Sequence, residues 1–400
     1  MRAFSKLIIV LAVMGALLVG YVLLATGQKK TALSEGVDSQ DPSTQETYVS
    51  QVIISAPWGE QSLYDSIYGW YAGKEESKLG EFGMHEEFQE PGATSGLIIG
   101  PNSFTVAPNG DIYINDPLNK RVQRFGPNGE FISVIHVAPS MGGAMCVDKD
   151  NNIYIVRASR PNWFIDKYDQ AGNLLRSYPI EVERKQLKSY PTEIETHRIA
   201  GIYCDNSGRI CAAFHCNYRK VDKVGEKRKT IIDTTWGGLC HVKYAEPAFS
   251  FEEQKSLIRK DAYLGFNSAA LNKNLFFLSD HGLAWNGYGN LYVVSFAGDT
   301  VQVLKSLRGF PLGCDENLNV YTEETPFNFY ASQYDEKKHA SVVRKYNSKG
   351  ELVSTFRYWC GKPYTTPAGR SKFLDNKGNI YIYCESYKDG IKVIKWHKSE

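Results

Sequence analysis

Three histidines, His197, His215 and His281, carry the side chains in this sequence best suited to chemistry. Neutral imidazoles bind zinc, and three of them leave a fourth position open for water or a substrate carbonyl. Glu323 or Asp280 would then serve as the general base. Asn102, Asp116, Arg157 and Arg370 are the polar groups expected to meet a ligand. These residues are scattered along most of the chain, so they form a site only if the fold gathers them. The bland alternative is open for each histidine, since eight of them in 400 residues will often fall on one face as solvated loop positions. No nucleotide-binding glycine loop, GxSxG elbow, HExxH, CxxC or CxxCH is present, which excludes the families built on those motifs.

The elements that must position these residues repeat. Ser103 to Ile135 alternates apolar residues through Phe104, Val106, Ile112, Ile114, Val122, Phe125, Phe131 and Val134, interrupted by Pro/Asn/Gly clusters. It predicts four short antiparallel strands. Its first half, strand–turn–strand, returns from Met145, Ile202, Leu283, Leu312 and Lys372. Before the turn stand Ala107, Asp148, Asp205, Asn286, Asp315 and Asp375; the Asp and Asn residues of this column bond their own backbone in a tight turn. Its second half returns as FIDKYDQAGNLLRSY and VVRKYNSKGELVSTF, aligning Phe125, Tyr168 and Tyr346. Phe125 and Tyr168 stand 43 residues apart, the length of one four-stranded propeller blade. The fold class read from this is all-β, a six-bladed β-propeller; the long interval between Asp205 and Asn286 leaves seven blades as the alternative.

In a propeller the starts of the innermost strands and the exits of the second strands share one face. Asn102, His197, Asp280, His281 and Arg370 fall at entries; Asp116, Arg157, His215, Glu323, Glu324 and Glu385 fall at exits. Within the first unit, Asp116-Pro-Leu-Asn119-Lys-Arg121-Val122, preceded by NGDIYIN and followed by QRFGPNGEF, resembles an NHL repeat. The resemblance is specific there and degenerate in the other units, and it covers roughly residues 100 to 396. It implies a fold and not one activity: NHL-like propellers serve as protein-binding platforms, RNA-binding modules, and metal-dependent lyases or lactonases.

Residues 7–25 are uncharged and mostly apolar, flanked by Arg2 and Lys6 before and by Lys29 and Lys30 after. As a helix they match a hydrocarbon core of about 30 Å. The expectation is a single-pass signal anchor, with residues 1–6 cytoplasmic, 26–47 a flexible linker and 48–400 an extracytoplasmic propeller. Cleavage at Ala25-Thr-Gly27 would instead release a secreted protein. Tyr48 to Ile54 has strand composition, whereas the last repeat supplies only three strands. A ring must close its edges, so this N-terminal strand is expected to complete the last blade. Tyr64 to Gly96 is expected as a long loop, Ser250-Phe-Glu-Glu253 as the capping box of a short helix, and Lys220 to Lys229 as a solvated hairpin tip.

Cys204, Cys211, Cys216 and Cys240 cluster with His215 and His241. A soft-metal site, a disulfide such as Cys216 with Cys240, and buried thiols in packing columns are all open readings. Trp58, Trp70, Trp163 and Trp236 lie outside the repeat cores and are candidates for stacking on a glycan. A net charge of +2 gives no electrostatic case for nucleic acid. The functional expectation is a binding or scaffold module for a protein, peptide or glycan partner, with no cofactor. The alternative is a metal-dependent lyase or hydrolase holding zinc or calcium at the central opening.

Overall fold

The computed structural model describes residues 46–399 apart from 62, 66–69, 73–81, 88–96, 102, 139–143, 160–161, 181–183, 187–191, 205–209, 225–226, 241, 245–248, 252–261, 271–274, 281–287, 296–299, 325–339, 360–371 and 387–389. Between residues 181 and 288 it describes the strand backbone, with side chains at Ile202 and Cys204. The proposed membrane segment, residues 7–25, lies outside the described residues. Among those described, no helix is long and apolar enough to cross a membrane.

Six four-stranded antiparallel sheets occur among the described residues. Sheet I is Ser103–Val106, Ile112–Asp116, Arg121–Phe125 and Phe131–His136. Sheet II is Met145–Val147, Ile153–Ser159, Asn162–Tyr168 and Leu174–Ile180. Sheet III is Arg184–Gln186, Thr192–Cys204, Ile210–Val224 and Lys227–Cys240. Sheet IV is Ala262–Ala270, Leu275–Asp280, Tyr288–Ser295 and Thr300–Arg308. Sheet V is Phe310–Cys314, Val320–Glu324, Ser341–Tyr346 and Leu352–Tyr358. Sheet VI is Lys372–Leu374, Ile380–Ser386 and Gly390–Lys398, completed by Tyr48–Ala56 from the other end of the chain. That last pairing runs from Tyr48 opposite Lys398 to Ala56 opposite Ile391, as the open-edge argument requires.

One strand of each sheet touches its counterpart in the next. Ser103–Val106 meets Met145–Val147, which meets Thr192–Cys204, then Ala262–Ala270, Phe310–Cys314 and Lys372–Leu374, and the last returns to Ser103–Val106. The sheets are therefore arranged cyclically, as a β-propeller. The cores confirm why no sheet stands alone, because each cluster straddles two neighbours. Tyr113, Val122 and Ile135 of sheet I pack with Met145, Ile153 and Tyr168 of sheet II. Ile54 and Val393 of sheet VI pack with Phe104, Ile112 and Phe125 of sheet I. Leu291 and Leu304 of sheet IV meet Val320 and Tyr346 of sheet V, and Leu312 and Val343 of sheet V meet Ile380 and Ile382 of sheet VI.

Local sequence rules fail in one place. Within Tyr64 to Gly96, expected as a loop, the backbone forms short strands at Trp70–Ala72 and Phe82–Glu87, the latter pairing with Leu97–Ile99 just beyond it. Phe82 is fully buried against Phe125, so burial against sheet I orders a stretch without strand periodicity. Ser250, expected as a helix cap, lies in the strand Phe249–Phe251, which pairs with Val242–Tyr244, and the helix expected after it, at 252–261, lies outside the described residues. The strand expected at Leu283–Trp285 falls outside the described residues, and Leu275–Asp280 pairs with Tyr288–Ser295. The Lys220 to Lys229 stretch does form a hairpin, closing with Val224 opposite Lys227.

Candidate functional site

Strand direction assigns the two edges of each sheet different work. The lower edge carries the turns between first and second strands. There Asp148 accepts the backbone N–H groups of Asp150 and Asn152 through Oδ1, and Asn152 Nδ2 and Tyr154 Oη through Oδ2. Asp315 and Asp375 repeat this with Asn317, Asn319 and Tyr321, and with Lys377, Asn379 and Tyr381. A third-strand cation lies over each tyrosine ring: Lys167 at 5.1 Å from Tyr154, Lys345 at 5.7 Å from Tyr321 and Lys395 at 5.6 Å from Tyr381. In sheet I the carboxylate moves to the end of the turn. Asp111 pairs with Arg124 at 2.5 Å, and Arg124 lies 5.7 Å from Tyr113. The aspartate column is thus a turn-and-clamp device. Its cation column, Arg124, Lys167 and Lys345, always directly precedes Phe125, Tyr168 or Tyr346, a signal the sequence displayed.

Those aromatics have their own task. Tyr168 Oη accepts the N–H of Ala138, and Tyr346 Oη accepts that of Arg308. Each hydroxyl fixes the segment entering its own sheet from the preceding one.

The upper edge, where second strands end, is ionic. Asp116 accepts Asn119 Nδ2 at 2.7 Å and Arg121 Nε at 3.2 Å, with all three residues buried. This is the Asp-Asn-Arg set that carried the sequence resemblance, folded around the 3₁₀ turn Pro117–Asn119. Arg157 donates Nε to Asp166 at 2.5 Å and lies 4.4 Å from the Phe164 ring. Hydrogen bonding to Asp166 outweighs burial and holds Arg157 above the ordinary guanidinium range. Glu324 takes Arg308 at 2.7 Å and Arg344 at 2.8 Å.

Glu323 is the most elaborated group on this edge. It is 4% exposed. Its Oε1 accepts the hydroxyl of Tyr358 from the outer strand of sheet V, and its Oε2 accepts Lys372 Nζ from the first strand of sheet VI. Burial, then the Glu323 charge, push the Tyr358 phenol well above its usual range, so it stays a donor. The carboxylate therefore bridges two sheets, with both oxygens occupied. It would serve as a base only by releasing one of them.

Asp116, Arg157 and Glu323 thus lie on one edge, in three different sheets, each with partners inside the chain. Asp280 ends its strand opposite Ala262. The sheet III register sets Arg198 opposite His215, with a bulge between Thr196 and Arg198, so His197 and His215 occupy adjacent positions on neighbouring strands. Asn102, His281 and Arg370 lie outside the described residues. Among those described, no group of three His, Cys, Asp or Glu is placed to hold a metal ion. The suggested Cys216–Cys240 bridge does not fit the register: Cys216 lies opposite Trp236 and Cys240 opposite Ala212. Four positions along a strand is about 13 Å, beyond the ~7 Å Cα limit of a disulfide.

No protein-family model and no curated protein matches the chain. Among solved structures, it is similar to a protein of unknown function from Bacteroides thetaiotaomicron, at 14% identity and TM-score 0.41, covering 88% of this chain and 77% of that one. It is also similar to virginiamycin B lyase from Staphylococcus aureus, at 10% identity and TM-score 0.36, covering 89% of this chain and 100% of that one. Hydrazine synthase from Kuenenia stuttgartiensis is matched at 13% identity and TM-score 0.37, over 74% of this chain and 76% of that one.

Proposed function

We propose that the chain is a six-bladed, NHL-like propeller, anchored through residues 7–25 on the extracytoplasmic side of a membrane, that binds a protein, peptide or glycan partner on its upper edge. The observation that supports this most is the state of the ionic groups there. Asp116, Arg157, Glu323 and Glu324 are braced by partners on neighbouring strands or sheets, which suits a rigid display surface. Arg308 is 40% exposed at its side chain and Arg157 23%, so cationic faces are still presented to solvent. The chain enters sheet VI at Tyr48, opposite Lys398, at the lower edge.

Retrieval of partners from intact envelopes by the full-length chain tests this reading. The expected result is a partner held by the wild type and lost by Arg157→Glu plus Arg308→Glu; equal retrieval by both proteins refutes the upper edge as the surface. A metal-dependent lyase or hydrolase is the second reading, favoured by the adjacency of His197 and His215 in sheet III. Stoichiometric zinc or calcium in the purified chain, lost on His197→Ala plus His281→Ala, would replace the binding role with that one.

A further inference from the structure

Two buried thiols face each other between sheets II and III. Cys146 is the middle residue of Met145–Val147 in sheet II, opposite Tyr154. Cys204 ends Thr192–Cys204 in sheet III, opposite Ile210. These strands meet where the two sheets adjoin. The Sγ atoms stand 2.7 Å apart, with Cys146 2% exposed and Cys204 4%. Both are unbridged, whereas Cys384 in sheet VI is disulfide-bonded. Cys314 occupies the repeat column of Cys204 but packs among Leu291, Val320 and Tyr346, as a small hydrophobe would. Cys204 differs in facing a second sulfur on another sheet.

We propose that Cys146 and Cys204 form a disulfide that staples sheet II to sheet III. A bond of about 2.05 Å requires the two sulfurs to approach by a further ~0.7 Å, within the reach of side-chain rotation. The oxidant is an external disulfide, small-molecule or protein. One cysteine thiolate attacks it, forming a mixed disulfide and releasing one thiol. The second thiolate then attacks the mixed disulfide at the protein sulfur and displaces the other thiol. Two protein thiols are oxidised, one external disulfide is reduced to two thiols, and the two protons pass to those products. Because both sulfurs are buried, exchange takes place while the two sheets are still apart. In sheet III the strand that meets its neighbours around the ring, Thr192–Cys204, is the second of the four, following Arg184–Gln186, whereas in sheet II it is the first.

The test is to unfold the full-length chain, refold it in a buffer of reduced and oxidised glutathione, block free thiols by alkylation and digest without reductant. The expected product is a linked peptide pair containing Cys146 and Cys204, two hydrogens lighter than the separate thiol peptides and absent from Cys146→Ala. Recovery of both cysteines alkylated, or of either joined to a different cysteine, overturns the proposal. The double variant Cys146→Ala plus Cys204→Ala should melt several degrees below the wild type, by a gap that narrows when both are refolded in dithiothreitol. A gap indifferent to reductant assigns the pair to packing alone and overturns the staple.

Discussion

Gly129 lies in the turn between the third and fourth strands of sheet I at φ +88°, and a Cβ there would overlap the carbonyl oxygen of Ile53. Ile53 belongs to the closing strand of sheet VI, at the register shift between Val52 and Ile54. Gly110 provides the internal control: its φ is +92°, but the nearest atom to an added Cβ is Pro127 Cβ at 3.2 Å, within its own sheet. Both substitutions to alanine incur the left-handed backbone cost, about 1–2 kcal/mol, partly offset by about 0.4–1 kcal/mol from stiffening the unfolded chain. Gly129→Ala must in addition push sheet I off the closing strand, an overpacking cost of about 1–3 kcal/mol. The expected losses are therefore about 1 kcal/mol for Gly110→Ala and about 3 kcal/mol for Gly129→Ala. Urea unfolding measures both, since stability changes at constant slope appear as shifts of the midpoint. Equal midpoint shifts in the two variants would show that the turn does not bear on the closing strand, and the packing of sheet I against sheet VI would have to be redrawn.

Deleting residues 48–56 removes the fourth strand of sheet VI together with buried Ile53, Ile54 and Ala56, and should lower the melting temperature of the whole ring; an unchanged melting profile contradicts closure. Asp315→Ala strips acceptors from Asn317, Asn319 and Tyr321 and should cost about 2–4 kcal/mol in chemical unfolding. Lys372→Met leaves buried Glu323 without its cation and should cost about 3–5 kcal/mol, most of it recovered when Glu323→Leu is added; a non-rescuing double variant refutes the pairing. Burial pushes the phenols of Tyr48 and Tyr113 up to about 12. The folded chain then holds these protons at pH values where the unfolded chain has released them. Stability is full below the ordinary tyrosine value of 10.0 and falls as pH rises from there towards 12, which unfolding curves across that window would reveal.

The repeat was legible because each strand–turn–strand obeys local chemistry. Apolar alternation sets which face is buried, and the carboxylates of Asp148, Asp315 and Asp375 accept N–H groups of their own turns. The need to close a ring followed from counting strands at the two ends of the chain, and it located the partner of the last sheet before any coordinates. Sheets III and IV were less legible, because their long strands and inserted segments break the spacing that made the other units recognisable.

What the sequence determined by itself is the strand pattern, the turns and the all-β class, since these depend on residues within a few positions of one another. Only the tertiary structure decided what the ionisable groups do. Glu323 meets Lys372 and Tyr358, and Cys146 meets Cys204, because neighbouring sheets converge on a common axis. Contacts made across that convergence link residues far apart along the chain, and the identity of neither partner reveals the other.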